Sequence, residues 1–218
     1  AQLENHLGIV QSGSDLSLNT QQLENSEGLI SGAAKTTLTV ANSLRQQAGK
    51  ISAGALTLNA GTLDSTQKSV IAADNADLTI KHNLINTHSE LSAIHNLNVI
   101  SQELDNRQGL LLAEQGRLVI NTQQHQVNNQ HGKIVAGQAV HLDSGQLDNQ
   151  QGLVQGDTGV TLNTHGQSVN NMSAAIVSRQ ALAITAGQLN NNQGYIQSAQ
   201  QADIQLGSST LSNENGEI

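Results

Sequence analysis

The sequence predicts an all-β solenoid: a parallel β-helix of about 10–11 coils with about 21 residues per coil. Three observations lead there. A short aliphatic–polar pattern, completed by glycine in eight copies, occurs eleven times. Each full copy also carries an alternating aliphatic pair. Finally, the chain has no Pro, Cys, Trp or Phe and one aromatic residue, Tyr195, while Asn and Gln together number 50. A core must therefore be filled by Leu, Ile, Val and Ala, which suits a narrow stack of aliphatic side chains better than a broad globular interior.

The pattern L-x-N-x-x-G-x-I starts at Leu3 and returns at Leu23, Leu44, Leu63, Leu84, Leu104, Val127, Leu147, Val169, Leu189 and Leu211. Seven residues after each start stands a second aliphatic: Val10, Ile30, Ile51, Val70, Leu91, Leu111, Ile134, Val154, Ile176, Ile196 and Ile218. Two residues later only small side chains occur, at Ser12, Gly32, Ala53, Ala72, Ala93, Ala113, Ala136, Gly156, Ser178 and Ser198. The small set predicts a tight inward corner. The stretch from the first aliphatic to this corner reads as constant in length, with all insertions assigned to the turns beyond it.

The alternating pairs follow: Leu16/Leu18, Leu38/Val40, Leu56/Leu58, Leu78/Ile80, Leu97/Val99, Leu118/Ile120, Val140/Leu142, Val160/Leu162, Leu182/Ile184 and Ile204/Leu206. Period-two spacing puts both members on one face of a strand and the residue between them outside. Each coil thus contains two or three short strands. Apolar spacings of 2, 5 and 7 do not fit a helix, and the L-x-x-L-x-L of leucine-rich repeats is missing. At the usual strand spacing, such a stack makes a rod roughly 50 Å long.

Asn fills the third repeat position at Asn5, Asn25, Asn86, Asn106, Asn129, Asn149, Asn171, Asn191 and Asn213, with Gln46 and Ser65 in the other two copies. Stacked coils would align these amides in a structural ladder; the functional alternative is a row that binds sugar. Gly follows at Gly8, Gly28, Gly49, Gly109, Gly132, Gly152, Gly194 and Gly216, for which a positive φ or a tight approach at a turn is expected. Lys68, Ser89 and Ala174 break that column. The region Leu63–Glu103 is therefore the least regular, and local departures are expected there. Glu4, Glu24, Asp64, Asp105 and Asp148 share the second position. They read as a solvated acidic column, since the G-G-x-G-x-D signature of calcium-binding rolls is missing and Arg45 interrupts them.

A formal net charge of −8, with only nine Lys and Arg, argues against nucleic acid and anionic membrane surfaces. No apolar run approaches the roughly 20 residues of a spanning helix. There is no G-x-S-x-G and no Cys nucleophile, and no H-x-H or H-E-x-x-H. No catalytic, metal or cofactor-binding residue is expected, and no cofactor.

Copies such as Leu104–Gly109 (LDNRQG), Leu147–Val154 (LDNQQGLV) and Leu189–Ile196 (LNNNQGYI) resemble the haemagglutinin repeats of filamentous haemagglutinin and of CdiA-type two-partner-secretion exoproteins. The resemblance runs through the whole chain. It implies a right-handed parallel β-helix, secreted through an outer-membrane two-partner-secretion transporter to the bacterial surface. There it would be the shaft of an adhesin or of a contact-dependent growth inhibition stick. The N-P-N-G and V-E-N-N elements of that family are not in the sequence, so residues 1–218 are expected to be one interior repeat segment without a second domain. Two further partners are expected: a target-cell receptor or glycan, contacted near Leu63–Glu103, Gln124 or His165, and another copy stacked end to end.

Overall fold

The computed structural model describes residues 1–207 and 210–218. Every regular element among them is a strand, and every inter-strand pairing is parallel, each strand lying beside its counterpart one repeat away. The chain is a β-solenoid of about ten turns of roughly 20 residues. Coils are numbered here from their first aliphatic residue, coil 1 from Leu3 to coil 10 from Leu189, with a partial eleventh from Leu211. No helix in the described residues is long and apolar enough to cross a membrane.

Each coil presents three faces. The first is a short strand around the leading aliphatic, such as Glu103–Asp105 in coil 6; the second is Leu110–Ala113 and the third Leu118–Asn121. In coils 2 to 4 the strands continue through the corners, as in Leu29–Arg45, Lys50–Asp64 and Val70–Ile80. Coil 6 illustrates the interior. Leu104, Asn106, Leu111, Ala113, Leu118, Ile120 and Thr122 all point inward and are no more than 1% exposed. The four large aliphatics in that set each contribute about 1.5–3 kcal/mol by leaving water.

The pairing register corrects the expected columns in two places. Ile51 pairs with Ile71 and Ile71 with Leu91, so the inward aliphatic of coil 4 is Ile71, not Val70, and its corner residue is Ala73, not Ala72. Coil 4 therefore has one extra residue before the corner, and the supposedly constant stretch is not constant. The third face holds the second correction. Its inward residues form three columns, because Thr36, Leu38 and Val40 stand over Leu56, Leu58 and Ala60, and those over Ala76, Leu78 and Ile80. The pairs Leu38/Val40, Leu78/Ile80 and Ile204/Leu206 therefore lie in the second and third of these columns, whereas pairs such as Leu56/Leu58 lie in the first and second.

The outer two of these columns compensate for each other. Where the first position is large, the third is small, as in Leu56/Ala60, Leu97/Ser101, Leu118/Thr122 and Leu182/Ala186. Coils 2, 4 and 10 reverse the order with Thr36/Val40, Ala76/Ile80 and Ala202/Leu206. Each coil thus keeps nearly the same core volume while the bulky group moves from one end of the strand to the other, as close packing demands.

Candidate binding cleft

The turn joining the first two faces contains the Asn and Gly columns. Asn106 Nδ2 donates to Asn129 Oδ1 at 2.7 Å, Asn129 to Asn149 at 2.7 Å, Asn149 to Asn171 at 2.8 Å and Asn171 to Asn191 at 2.7 Å. Asn86 donates to Asn106 at 2.8 Å and Asn191 to Asn213 at 2.7 Å. At the other end Asn5 donates to Asn25 at 2.6 Å, and Asn25 to the Gln46 Oε1 at 2.7 Å. The same amides also reach turn carbonyls, Asn129 Nδ2 lying 3.3 Å from Gly132 O and 3.2 Å from Leu153 O. With this many partners a buried polar column is tolerated within an aliphatic interior.

The glycines serve close approach, not positive φ. A Cβ on Gly28, Gly49, Gly109, Gly132, Gly152, Gly194 or Gly216 would lie 2.1–2.3 Å from the backbone oxygen of the Asn one coil back. Gly8, in the first coil, is instead crowded by Asn5 Oδ1. The left-handed conformation belongs to the residue just before the glycine column, whether that column holds glycine or, at Ser89 and Ala174, another small residue: Leu7, Glu27, Ala48, His88, Gln108, His131, Gln151, Ser173, Gln193 and Asn215 have φ of 52–56°. Sterics assign these two jobs to neighbouring residues, at roughly 1–2 kcal/mol for each non-glycine in the left-handed region.

The second-position column is not a run of carboxylates. Glu24 stacks on Arg45, Arg45 on Asp64, Asp64 on Ile85, and Asp105 on Asn128, so Glu4 and Glu24 are the one adjacent acidic pair among the five. Several of these side chains close the turn by accepting the N–H two residues on: Asp105 from Arg107 at 3.2 Å, Asn128 from Gln130 at 3.1 Å and Asp148 from Gln150 at 3.2 Å. No group of three or more His, Asp or Glu in the described residues is arranged to hold a metal ion. The excursions at Gln123–Gln126 and His165–Ser168 are tight turns, held by Thr122 Oγ1 on His125 O at 2.6 Å and Thr164 Oγ1 on Gln167 O at 2.8 Å.

Coil 4 departs from this plan. Its extra residue gives two successive left-handed positions, Gln67 at 60° and Lys68 at 64°. Ser65 occupies the ladder position, and its hydroxyl meets that of Ser69 at 2.5 Å instead of a neighbouring amide. Gln46 Nε2 below and Asn86 Oδ1 above are left unpaired and buried, two of four such side-chain atoms in the described residues. Ser69 and Ser89 replace glycine, and the Ser69 N–H donates to Ser89 Oγ at 3.1 Å.

Beside this irregular turn a cleft of about 490 Å³ crosses coils 4 to 7, with Val70, Glu90 and Leu110 in its floor and Lys68, His88, His131 and Lys133 around it. It is a shallow surface groove, open to solvent along most of its extent. The sequence pointed to irregularity at Leu63–Glu103, but not to Leu110, His131 or Lys133. These come together with Lys68 only because the register stacks Val70, Glu90, Leu110 and Lys133 in one outward column.

Together the stacked coils and the repeating turn define a repetitive β-solenoid, in which each coil packs on its neighbours. Residues 155–216 match the family model of the haemagglutinin repeat. That match runs from the second face of coil 8 into coil 11 and lies outside the cleft. Neither the comparison with curated proteins nor that with solved structures gave a match. The inward columns of the matched coils continue without a break into the others, Val154 pairing with both Ile134 and Ile176.

Proposed function

We propose that this chain is a shaft segment of a large secreted bacterial surface exoprotein, an adhesin or a contact-dependent growth inhibition stick. Such a protein would pass a two-partner-secretion transporter and project a receptor-binding or toxin region away from the cell. One observation carries this reading: the same inward set recurs coil after coil, and every excursion among the described residues is a short turn rather than a lid or an inserted domain. The haemagglutinin repeat matched at residues 155–216 is typical of secreted surface proteins, which supports the location. The haemagglutinin repeat and the solenoid fold support a structural, non-enzymatic role.

The cleft over coils 4 to 7 favours a second reading, in which the segment itself contacts a target-cell partner. Two in-register deletions in the whole exoprotein separate the readings. Removing residues 147–188 spares the cleft, and removing 104–146 cuts it; each takes out two coils. A pure spacer keeps cell-contact activity in both, with equally shortened reach. A contact module loses it only in the second. Loss of activity in both, with the protein still displayed, would contradict the spacer reading.

A further inference from the structure

The second face differs from the others in what it shows to solvent. Half-buried aliphatics stand in its outward columns, Val70, Leu110 and Leu153 in one and Leu112, Val135 and Val177 in the next. The third face is more polar at its outward positions, with Thr37, Thr57, Asn98 and Thr161, although Val119 and Ile100 also stand there. The cleft lies where this aliphatic face meets the basic side of the turn column. Two of the chain's nine Lys and Arg and two of its eight His surround it, although the chain has a net charge of −8.

We propose that the cleft docks an extended acidic polypeptide segment with interspersed aliphatic side chains. Its carboxylates meet the Lys68 and Lys133 ammonium groups at the rim, and its aliphatic groups lie on Val70 and Leu110. Glu90, held between Val70 and Leu110 in the outward column, offers an acceptor for a peptide N–H. The same carboxylate, in a chain of net negative charge, confines favourable contacts with acidic side chains to the Lys68 and Lys133 ends of the groove. A sugar is disfavoured because the one aromatic side chain, Tyr195, which could stack on a sugar ring, lies four coils from Leu110. The same turn carries both local irregularities of the chain's plan, the two left-handed residues Gln67 and Lys68 and the ladder break at Ser65.

The inference is separate from the shaft reading, because deletion of residues 147–188 tests reach without touching the cleft. Its own test is titration of the 218-residue chain, followed by amide chemical shifts, with a blocked peptide alternating aspartate and leucine. Shift changes are expected at Lys68–Val70, His88–Glu90 and Gln108–Leu110. Affinity should fall at least about tenfold in the Lys68→Ala/Lys133→Ala double variant, and equally for the asparagine–leucine peptide. Both lysines are exposed, so the double variant should keep the wild-type unfolding midpoint. Absence of shifts at millimolar peptide would overturn the proposal, as would binding indifferent to the lysines. Equal or better binding of methyl glucuronide would overturn it in favour of a sugar site.

Discussion

Ser65 stands one coil below Asn86, and its hydroxyl turns to Ser69 and leaves Asn86 Oδ1 without a donor. On the other side of the same break, Gln46 Nε2 has an unused donor. An amide at this position would meet both. Ser65→Asn is therefore expected to stabilise the chain by about 1–3 kcal/mol, the range for satisfying buried polar groups. Urea unfolding measures this directly, and a lower midpoint would contradict the ladder account of this coil.

In the unbroken part of the ladder the sign reverses. Asn129 accepts from Asn106 and donates to Asn149 Oδ1, Gly132 O and Leu153 O. Asn129→Ala strands two neighbouring amides at once, with an expected cost of about 2–4 kcal/mol. A loss below about 0.5 kcal/mol would mean that the amides are spectators.

Two glycines of coil 8 make a matched comparison. A Cβ on Gly152 would stand 2.3 Å from Asn129 O and 2.6 Å from Asn149 Oδ1, whereas one on Gly159 meets its nearest neighbours at 3.7–3.8 Å. Gly152→Ala is expected to destabilise by more than about 2 kcal/mol and Gly159→Ala to stay within about 0.5 kcal/mol. Thermal unfolding of the two variants side by side checks the pair.

The exchange of volume along the third face predicts a rescue. Ile80→Ala should cost about 2–5 kcal/mol by opening a cavity, and Ala76→Leu about 1–3 kcal/mol by overfilling a neighbouring site. Together they reproduce the Leu56/Ala60 arrangement of coil 3, and the double variant is expected to recover most of both losses. A double-mutant cycle reads the coupling, and simple additivity would show that the two columns do not share space.

The fold was legible because its determinants are strictly local and repeated: each inward Leu, Asn and Ile recurs in a fixed frame. Coil 4 escaped because Val70 and Ile71 are both aliphatic, so the frame accepted Val70 although Ile71 takes the core. Lys68 in the glycine column was the available warning of an extra residue. The third column escaped for a related reason. Thr, Ser and Ala at its positions do not look like core, yet Thr122, Ser144 and Thr164 are fully buried. The cleft could not be read from the sequence, because Val70, Glu90, Leu110 and Lys133 become neighbours only through the stacking register.

Removal of whole coils tests the central claim, that stacked identical turns give this chain its length. Small-angle scattering of the 218-residue chain and of the variant lacking residues 147–188 reads length and cross-section separately. A solenoid predicts that the longest dimension falls by about 10 Å, two coils at the parallel strand spacing, with no change in the cross-sectional radius. A thicker particle, or loss of the folded rod after this in-register excision, would contradict it.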